Sequence, residues 1–127
     1  MITLQQLDDR QAVTDLVSRL GLWLDGETTL DQARAILAED VSVSTPGGTA
    51  QGIDKVVAQA RRNHDVPTQH VITNVLVDLD GDRATAGANL IVTFPDSIQG
   101  ERYAFEARRD DETWHLTKIA VDLIWKR

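Results

Sequence analysis

Apolar residues in the first half of the chain recur at helical spacing. Val13, Leu16, Val17, Leu20 and Leu24 fall three or four positions apart across Leu4–Leu24, with Trp23 beside them, which predicts one buried face of a long helix. Asp25-Gly26-Glu27 predicts its end, the glycine acting as a stop. Thr29 and Gln32 fit a capping box ahead of a second helix, whose stripe is Leu30, Ala33, Ile36 and Leu37. Val41-Ser42-Val43-Ser44 alternates as a short strand, and Pro46-Gly47-Gly48 breaks it. A third helix is predicted from Ile53 to Arg62, burying Ile53, Val56, Val57 and Ala60.

The period then changes from helical to alternating. Gln69–Leu79 is β-branched and aliphatic, and Asp80-Gly81-Asp82 predicts a hairpin turn into a partner strand, Arg83–Phe94. Pro95–Gly100 turns into Glu101–Arg109, and Asp110-Asp111-Glu112 turns again into a long last strand, Thr113–Trp125. No linker, repeat or low-complexity segment divides residues 1–127. The expectation is one α+β domain, three N-terminal helices packed on one face of an antiparallel meander. Ala84, Ala86, Ala88, Leu90, Val92 and Phe94 share one strand face and read as a flat outer patch covered in a homodimer.

Composition removes classes of function. At 127 residues the chain is long enough for a real core, and 42% hydrophobic with 26% charged residues is ordinary for a globular domain. The absence of cysteine excludes a disulfide framework, thiolate catalysis and Cys-ligated metal. A net charge of -7, with basic residues only in short scattered runs, argues against nucleic acid as a partner. No apolar stretch approaches the roughly 20 residues that span a bilayer. Met1–Arg10 is polar and acidic, unlike a secretory leader, so a cytoplasmic location is the expectation.

Within that frame few side chains can carry chemistry. His70 stands out, because an imidazole exchanges protons near neutrality, and strand alternation puts it on one face with Ile72, Asn74 and Leu76. Tyr103 is the only tyrosine, aligned with Phe105 and Ala107 toward the core. Trp23 and Trp125 are large anchors able to line or cap a cavity, and Asn74 is an amide on the His70 strand. His64 falls in the polar run Arg61–Asp65 and His115 beside a charged turn, so both read as solvated. No His-x-x-x-His or Glu-x-x-His spacing, Gly-rich phosphate loop or Gly-x-Ser-x-Gly elbow occurs, and no metal or cofactor is expected.

The ordered set of Arg19–Glu27, Ala38–Val41, Gly52-Ile53, Thr68–Val75 and Asp80–Ala84 resembles the SnoaL-like branch of the nuclear-transport-factor-2-like superfamily. The resemblance implies a cone-shaped, cystatin-like α+β barrel with an apolar pocket. Thr68-Gln69-His70 resembles the strand motif of scytalone-dehydratase-like members, which implies a catalytic His70. Leu24-Asp25 matches their aromatic–Asp pair with the aromatic missing, which implies that Asp25 orients His70. Asn89 falls where those dehydratases place a second histidine, and an amide there would hold a substrate oxygen instead. Ketosteroid isomerases would want a tyrosine at Leu20 and an aspartate at Thr45, and neither is present. Arg108 or Arg102 with Asp122 imitates part of the Asp–Arg–Asp set of limonene-epoxide-hydrolase-like enzymes. The favoured expectation is a cofactor-independent acid–base enzyme on a small apolar carbonyl compound: a dehydratase, isomerase or polyketide cyclase. Its rival is a non-catalytic binding or dimerisation domain, with an epoxide hydrolase as a minor alternative.

Overall fold

In a computed structural model describing residues 1–127, Thr3 opens helix α1 (Leu4–Asp25) through a capping box. Its hydroxyl accepts from the Gln6 N–H at 3.1 Å, and its own N–H donates to Gln6 Oε1 at 2.8 Å. The predicted apolar stripe is buried along α1, together with Gly21. Thr29 caps α2 as expected, but α2 spans only Leu30–Arg34. Ile36 and Leu37, read above as helical, instead lead into β1 (Leu37–Thr45). The Leu116 N–H donates to the Ile36 carbonyl at 2.9 Å and Leu37 pairs with Leu116, so sheet pairing overrides the local period. The glycines after Pro46 do not simply end that strand; they fold it back as β2 (Gly48–Gln51).

Helix α3 runs Ile53–Asn63, and Gly52 precedes it at φ 88°, a conformation a side chain would oppose. The remaining strands are β3 (Gln69–Asp80), β4 (Arg83–Thr93), β5 (Ile98–Asp110) and β6 (Thr113–Lys126). The six strands form one sheet in the order β2-β1-β6-β5-β4-β3. Every pairing is antiparallel except β1 with β6, so the expected meander holds for β3–β6 and the sheet as a whole is mixed. The helices cover one face of this curved sheet, giving the expected α+β fold. No helix is long and apolar enough to cross a membrane.

Two details of strand facing correct the sequence reading. Ala84, Ala86, Ala88, Leu90 and Val92 are buried in the core beneath the helices, not on an outer patch. Alternation fixes which residues share a face, but not which face is covered. The outer face instead shows Val71, Ile91 and Trp125 in one row. Trp125 lies over Gly100, where a Cβ would collide with the indole Nε1. It therefore sits on the sheet face opposite Tyr103 and caps no cavity there.

The second correction is in β3. Thr73 pairs with Asn89 and Leu76 with Gly87, so Asn74 and Val75 together oppose Ala88 in a bulge. Asn74 takes up the bend at φ 57°, which asparagine tolerates better than most residues. Parity flips across it: His70 and Ile72 face inward before the bulge, and Val75, Val77 and Leu79 after it. Asn74 is exposed and Leu76 is 75% exposed, so neither shares a face with His70.

The far end of α1 is fixed by a buried carboxylate. Asp9 accepts from Trp114 Nε1 at 3.0 Å, Gln5 Nε2 at 2.9 Å and Arg109 Nη1 at 2.8 Å, while Arg109 also holds Asp82. Burial pushes the Asp9 pKa up, but the hydrogen bonds from Trp114 and Gln5 and the Arg109 charge outweigh it and lower the value.

Asn74→Val is expected to lose about 1–2 kcal/mol in urea unfolding, and Asn74→Gly to lose nothing, because only the first penalises positive φ. Asp9→Ala is expected to cost about 2 kcal/mol by the same measurement, since it strands the Trp114 N–H and the Arg109 charge. A carboxylate with a lowered folded pKa contributes stability that is present above its ordinary range and lost as pH falls through the folded value. Part of the stability lost below about pH 4 should therefore be missing from the pH profile of Asp9→Ala.

Candidate active site

Asp25 is the last residue of α1, one turn beyond Gly21, and that side of the helix lies against β3. A Cβ on Gly21 would approach Ile72 Cδ1 to 2.7 Å and His70 Cβ to 3.7 Å. The bare glycine thus lets the helix sit directly under the start of the strand. There Asp25 accepts three hydrogen bonds from β3 and the residues leading into it. Thr68 Oγ1 donates to Oδ1 at 3.0 Å, the His70 N–H to Oδ2 at 2.9 Å, and His70 Nδ1 to Oδ1 at 2.6 Å. The carboxylate grips the backbone and the ring of one residue, so the imidazole has no freedom to turn.

This contact fixes the tautomer. A carboxylate only accepts, so the shared proton sits on His70 Nδ1, and in the neutral ring Nε2 is left with a lone pair. The His70 side chain is 1% exposed, and its Nε2 is the buried side-chain nitrogen or oxygen that has no hydrogen-bond partner. A base this well oriented with nothing on its free nitrogen is what proton transfer needs.

Two adjoining cavities lie in front of the pair. An inner chamber of about 50 Å³ is walled by Leu20, Trp23, Leu24, Val56 and Ile119. An outer cleft of about 280 Å³ is walled by Pro46, Phe94, Gln99, Glu101 and Leu123. Thr45, Asn63, His64, Tyr103 and Val121 border both and form the neck between them. No lysine or arginine lines either space. A larger groove of about 630 Å³ surrounds Asp9 and Arg109. It lies about 24 Å along α1 from Asp25, its Asp9–Arg109–Asp82 cluster is hydrogen-bonded internally and it holds no histidine, so it is not the candidate site.

The other predicted residues divide between this site and the outer face. Trp23 lines the inner chamber and donates Nε1–H to the Thr29 carbonyl at 2.9 Å. Tyr103 is buried at the neck, and burial, followed by the nearby Glu101 carboxylate, pushes its hydroxyl well above the usual phenol range. It stays a protonated donor. Asn89 is exposed on the opposite face, its Oδ1 accepting from Arg102 at 3.1 Å. The apolar positions on either side of it, Ala88 and Leu90, claim the inward face, so its neighbours dictate that orientation. Asn74 and Trp125, as described, are also outside the site. Arg108 is engaged with Asp40 and Asp110, and Arg102 pairs in register with an exposed Asp122. No Asp–Arg–Asp set reaches the cavities, which removes the basis for an epoxide hydrolase.

His64, read above as solvated, lies at the neck instead. It closes α3, its ring centre 5.0 Å from that of His70, and Nδ1 donates to the Ala60 carbonyl at 3.1 Å. Burial and then the neighbouring His70 hold its pKa below the ordinary histidine value. The sequence carried the signal: His64 is four residues beyond Ala60, on the same stripe as Ile53, Val56 and Val57.

Residues 5–120 match the sequence profile of the SnoaL-like domain family. The chain belongs to that family. A search of curated proteins finds no significant match for this SnoaL-like domain. Among solved structures it is similar to the hexachlorocyclohexane dehydrochlorinase LinA-type3 of Novosphingobium barchaimii. The TM-score is 0.87 at 18% identity, over 98% of this chain and 92% of the other. It is similar also to a protein of Novosphingobium aromaticivorans proposed to be a scytalone dehydratase, with TM-score 0.85 and 18% identity, over 99% and 91%. A cystatin-like protein of unknown function from Nostoc punctiforme gives TM-score 0.82 at 17% identity, over 97% and 94%. At these identities the likeness establishes the fold of the SnoaL-like domain and leaves its chemistry to its own residues.

The Asp25–His70 contact can be read directly. The His70 Nδ1 proton should appear as a downfield, slowly exchanging resonance in the proton NMR spectrum. It should disappear in Asp25→Ala, where the ring loses its acceptor.

Proposed function

We propose that this SnoaL-like domain is a cofactor-independent acid–base enzyme acting on a small, uncharged, largely apolar carbonyl compound. The observation that carries the reading is the His70 imidazole, clamped through Nδ1 by Asp25 and buried with its Nε2 lone pair unused. In the proposed step a C–H bond beside the carbonyl breaks and its proton binds His70 Nε2. The electron pair moves to the carbonyl oxygen, where the Tyr103 hydroxyl donates a hydrogen bond to the forming enolate. Asp25 keeps the ring oriented and balances the charge of the imidazolium. Returning the proton at another carbon isomerises the compound, and expelling a β-hydroxyl as hydroxide, protonated to water in the cleft, dehydrates it. The same arrangement would serve either outcome.

The lining supports an uncharged substrate. With Glu101 at the cleft and no cation on either wall, a carboxylate or phosphate would meet only repulsion. The 50 Å³ inner chamber takes a small head group and the 280 Å³ cleft a ring-sized body.

One observation favours a second reading, a non-catalytic binding domain. His70 lines neither cavity, so side chains of the wall must move before a ligand meets Nε2. Deuterium exchange at the carbon beside the carbonyl of cyclohexanone, followed by NMR in D₂O, separates the two. Acceleration by the wild-type chain is expected, falling about a hundredfold or more in His70→Ala. A comparable loss is expected in Tyr103→Phe, with ketone binding retained. Undiminished exchange in a folded His70→Ala would sink the acid–base reading, and binding without any exchange would favour the second.

A further inference from the structure

We propose that His64 is the proton relay of this site, the group through which a proton taken up at His70 Nε2 reaches solvent. The inference deepens the acid–base reading and rests on it, yet it can be tested without a substrate. Its starting point is a difficulty in that reading. The His70 side chain is 1% exposed and lines neither cavity of the site, so a proton bound at Nε2 has no open path to the cleft. Any reaction that does not return the proton to its substrate needs a carrier.

His64 has the attributes of one. Its ring centre is 5.0 Å from that of His70, with the planes inclined at 48°. At that separation the rings are in contact, and the proposed transfer passes between their Nε2 atoms. The carbonyl of Ala60 accepts from Nδ1, so the Nε2 of His64 is also a lone pair. Two lone pairs have nothing to exchange, which accounts for the lack of a hydrogen bond between the rings at rest. Once His70 is protonated it becomes a donor, and the nitrogen facing it is an acceptor. His64 also borders both the inner chamber and the outer cleft, so it reaches solvent where His70 does not.

The step balances. The Nε2–H bond of the His70 imidazolium breaks, and the proton binds His64 Nε2, leaving His70 neutral. His64, which borders the outer cleft, releases that proton to water or buffer, while its other proton stays bound to Nδ1 and hydrogen-bonded to the Ala60 carbonyl. Of the other groups around the neck, Tyr103 holds its own proton. The Glu101 carboxylate, accepting from Gln99 at 2.6 Å, and Asp25 behind His70 both favour the transient His64 cation. His64 is thus a relay residue that need not touch the substrate.

The test is NMR of the full chain, following the ring Cε1–H signal of His70 as pH is lowered through its titration. Fast averaging between the two protonation states is expected in the wild type. In His64→Ala the exchange should slow by roughly a hundredfold, enough to broaden or split the signal. Added imidazole, entering the space left by the ring, should restore averaging. His64→Gln keeps a donor for the Ala60 carbonyl but cannot carry a proton, and it should show the same slowing. The His115 signal should be unchanged throughout. Fast averaging retained in either folded variant overturns the relay, as does slowing in His64→Ala that imidazole does not reverse. Failure of the acid–base reading shows elsewhere, as absence of carbon–hydrogen exchange in the wild type.

Discussion

The open end of this fold is organised by a carboxylate in an electrostatically unfavourable place. Asp25 closes α1 at the C-terminal end of the helix, where the aligned peptide dipoles present partial negative charge and a cation would be welcome. What makes the position tenable is that donors converge on it from another element: the Thr68 hydroxyl, the His70 N–H and the His70 ring. The same bonds that neutralise the conflict tie the end of α1 to the beginning of β3. Helix placement, strand entry and imidazole orientation are therefore one event. A local rule broken by the helix is repaid by tertiary contacts, a pattern expected where a site is built.

Helix α1 has a second carboxylate clamp near its other end, and the two differ in kind. Asp9 is satisfied by Trp114, Gln5 and Arg109, with no buried side-chain nitrogen or oxygen there left without a partner. That end is cross-linking. At Asp25 the bonding stops one atom short of completion, leaving Nε2 open behind the cavity wall. Satisfied polar clusters stabilise, and an unsatisfied atom held in a rigid frame is available for chemistry. Because the clusters are roughly 24 Å apart along one helix, changes at the site need not weaken the anchor.

The fold was legible where periodicity was long and local. The stripe of α1, the turn at Asp80-Gly81-Asp82 and the alternation of β4 all predicted the right elements. Ile36 and Leu37 were misread because a short apolar run has no period of its own, and pairing with β6 decided it. In the site, His70 stood out by its chemistry and was given a catalytic role by the family resemblance, whereas Asp25 came through that resemblance, since it lies off the apolar stripe and nothing local marks its contact with a residue 45 positions away. Asn89 and Asn74 were placed inside for opposite reasons. For Asn89 the resemblance was given more weight than the strand's own alternation. For Asn74 alternation was carried straight through a bulge that the sequence does not announce. His64 was lost because its polar neighbours in Arg61–Asp65 outweighed its place on the α3 stripe, although the predicted end of that helix falls within one residue of the observed Asn63.

That bulge has a consequence for how this sequence tolerates change. The extra residue at Asn74 is a phase shift that divides β3 into two halves with independent parity. Upstream of it, His70 and Ile72 keep one phase with the site; downstream, Val75, Val77 and Leu79 keep the other with the core. Removing Thr73 or Asn74 would erase the bulge and leave both halves on one face, whereas keeping the present spacing without the bulge would turn either the imidazole or the core valines to solvent. In comparing this strand with its relatives, the spacing from the histidine to the first core valine is therefore more informative than the identity of the residues between them.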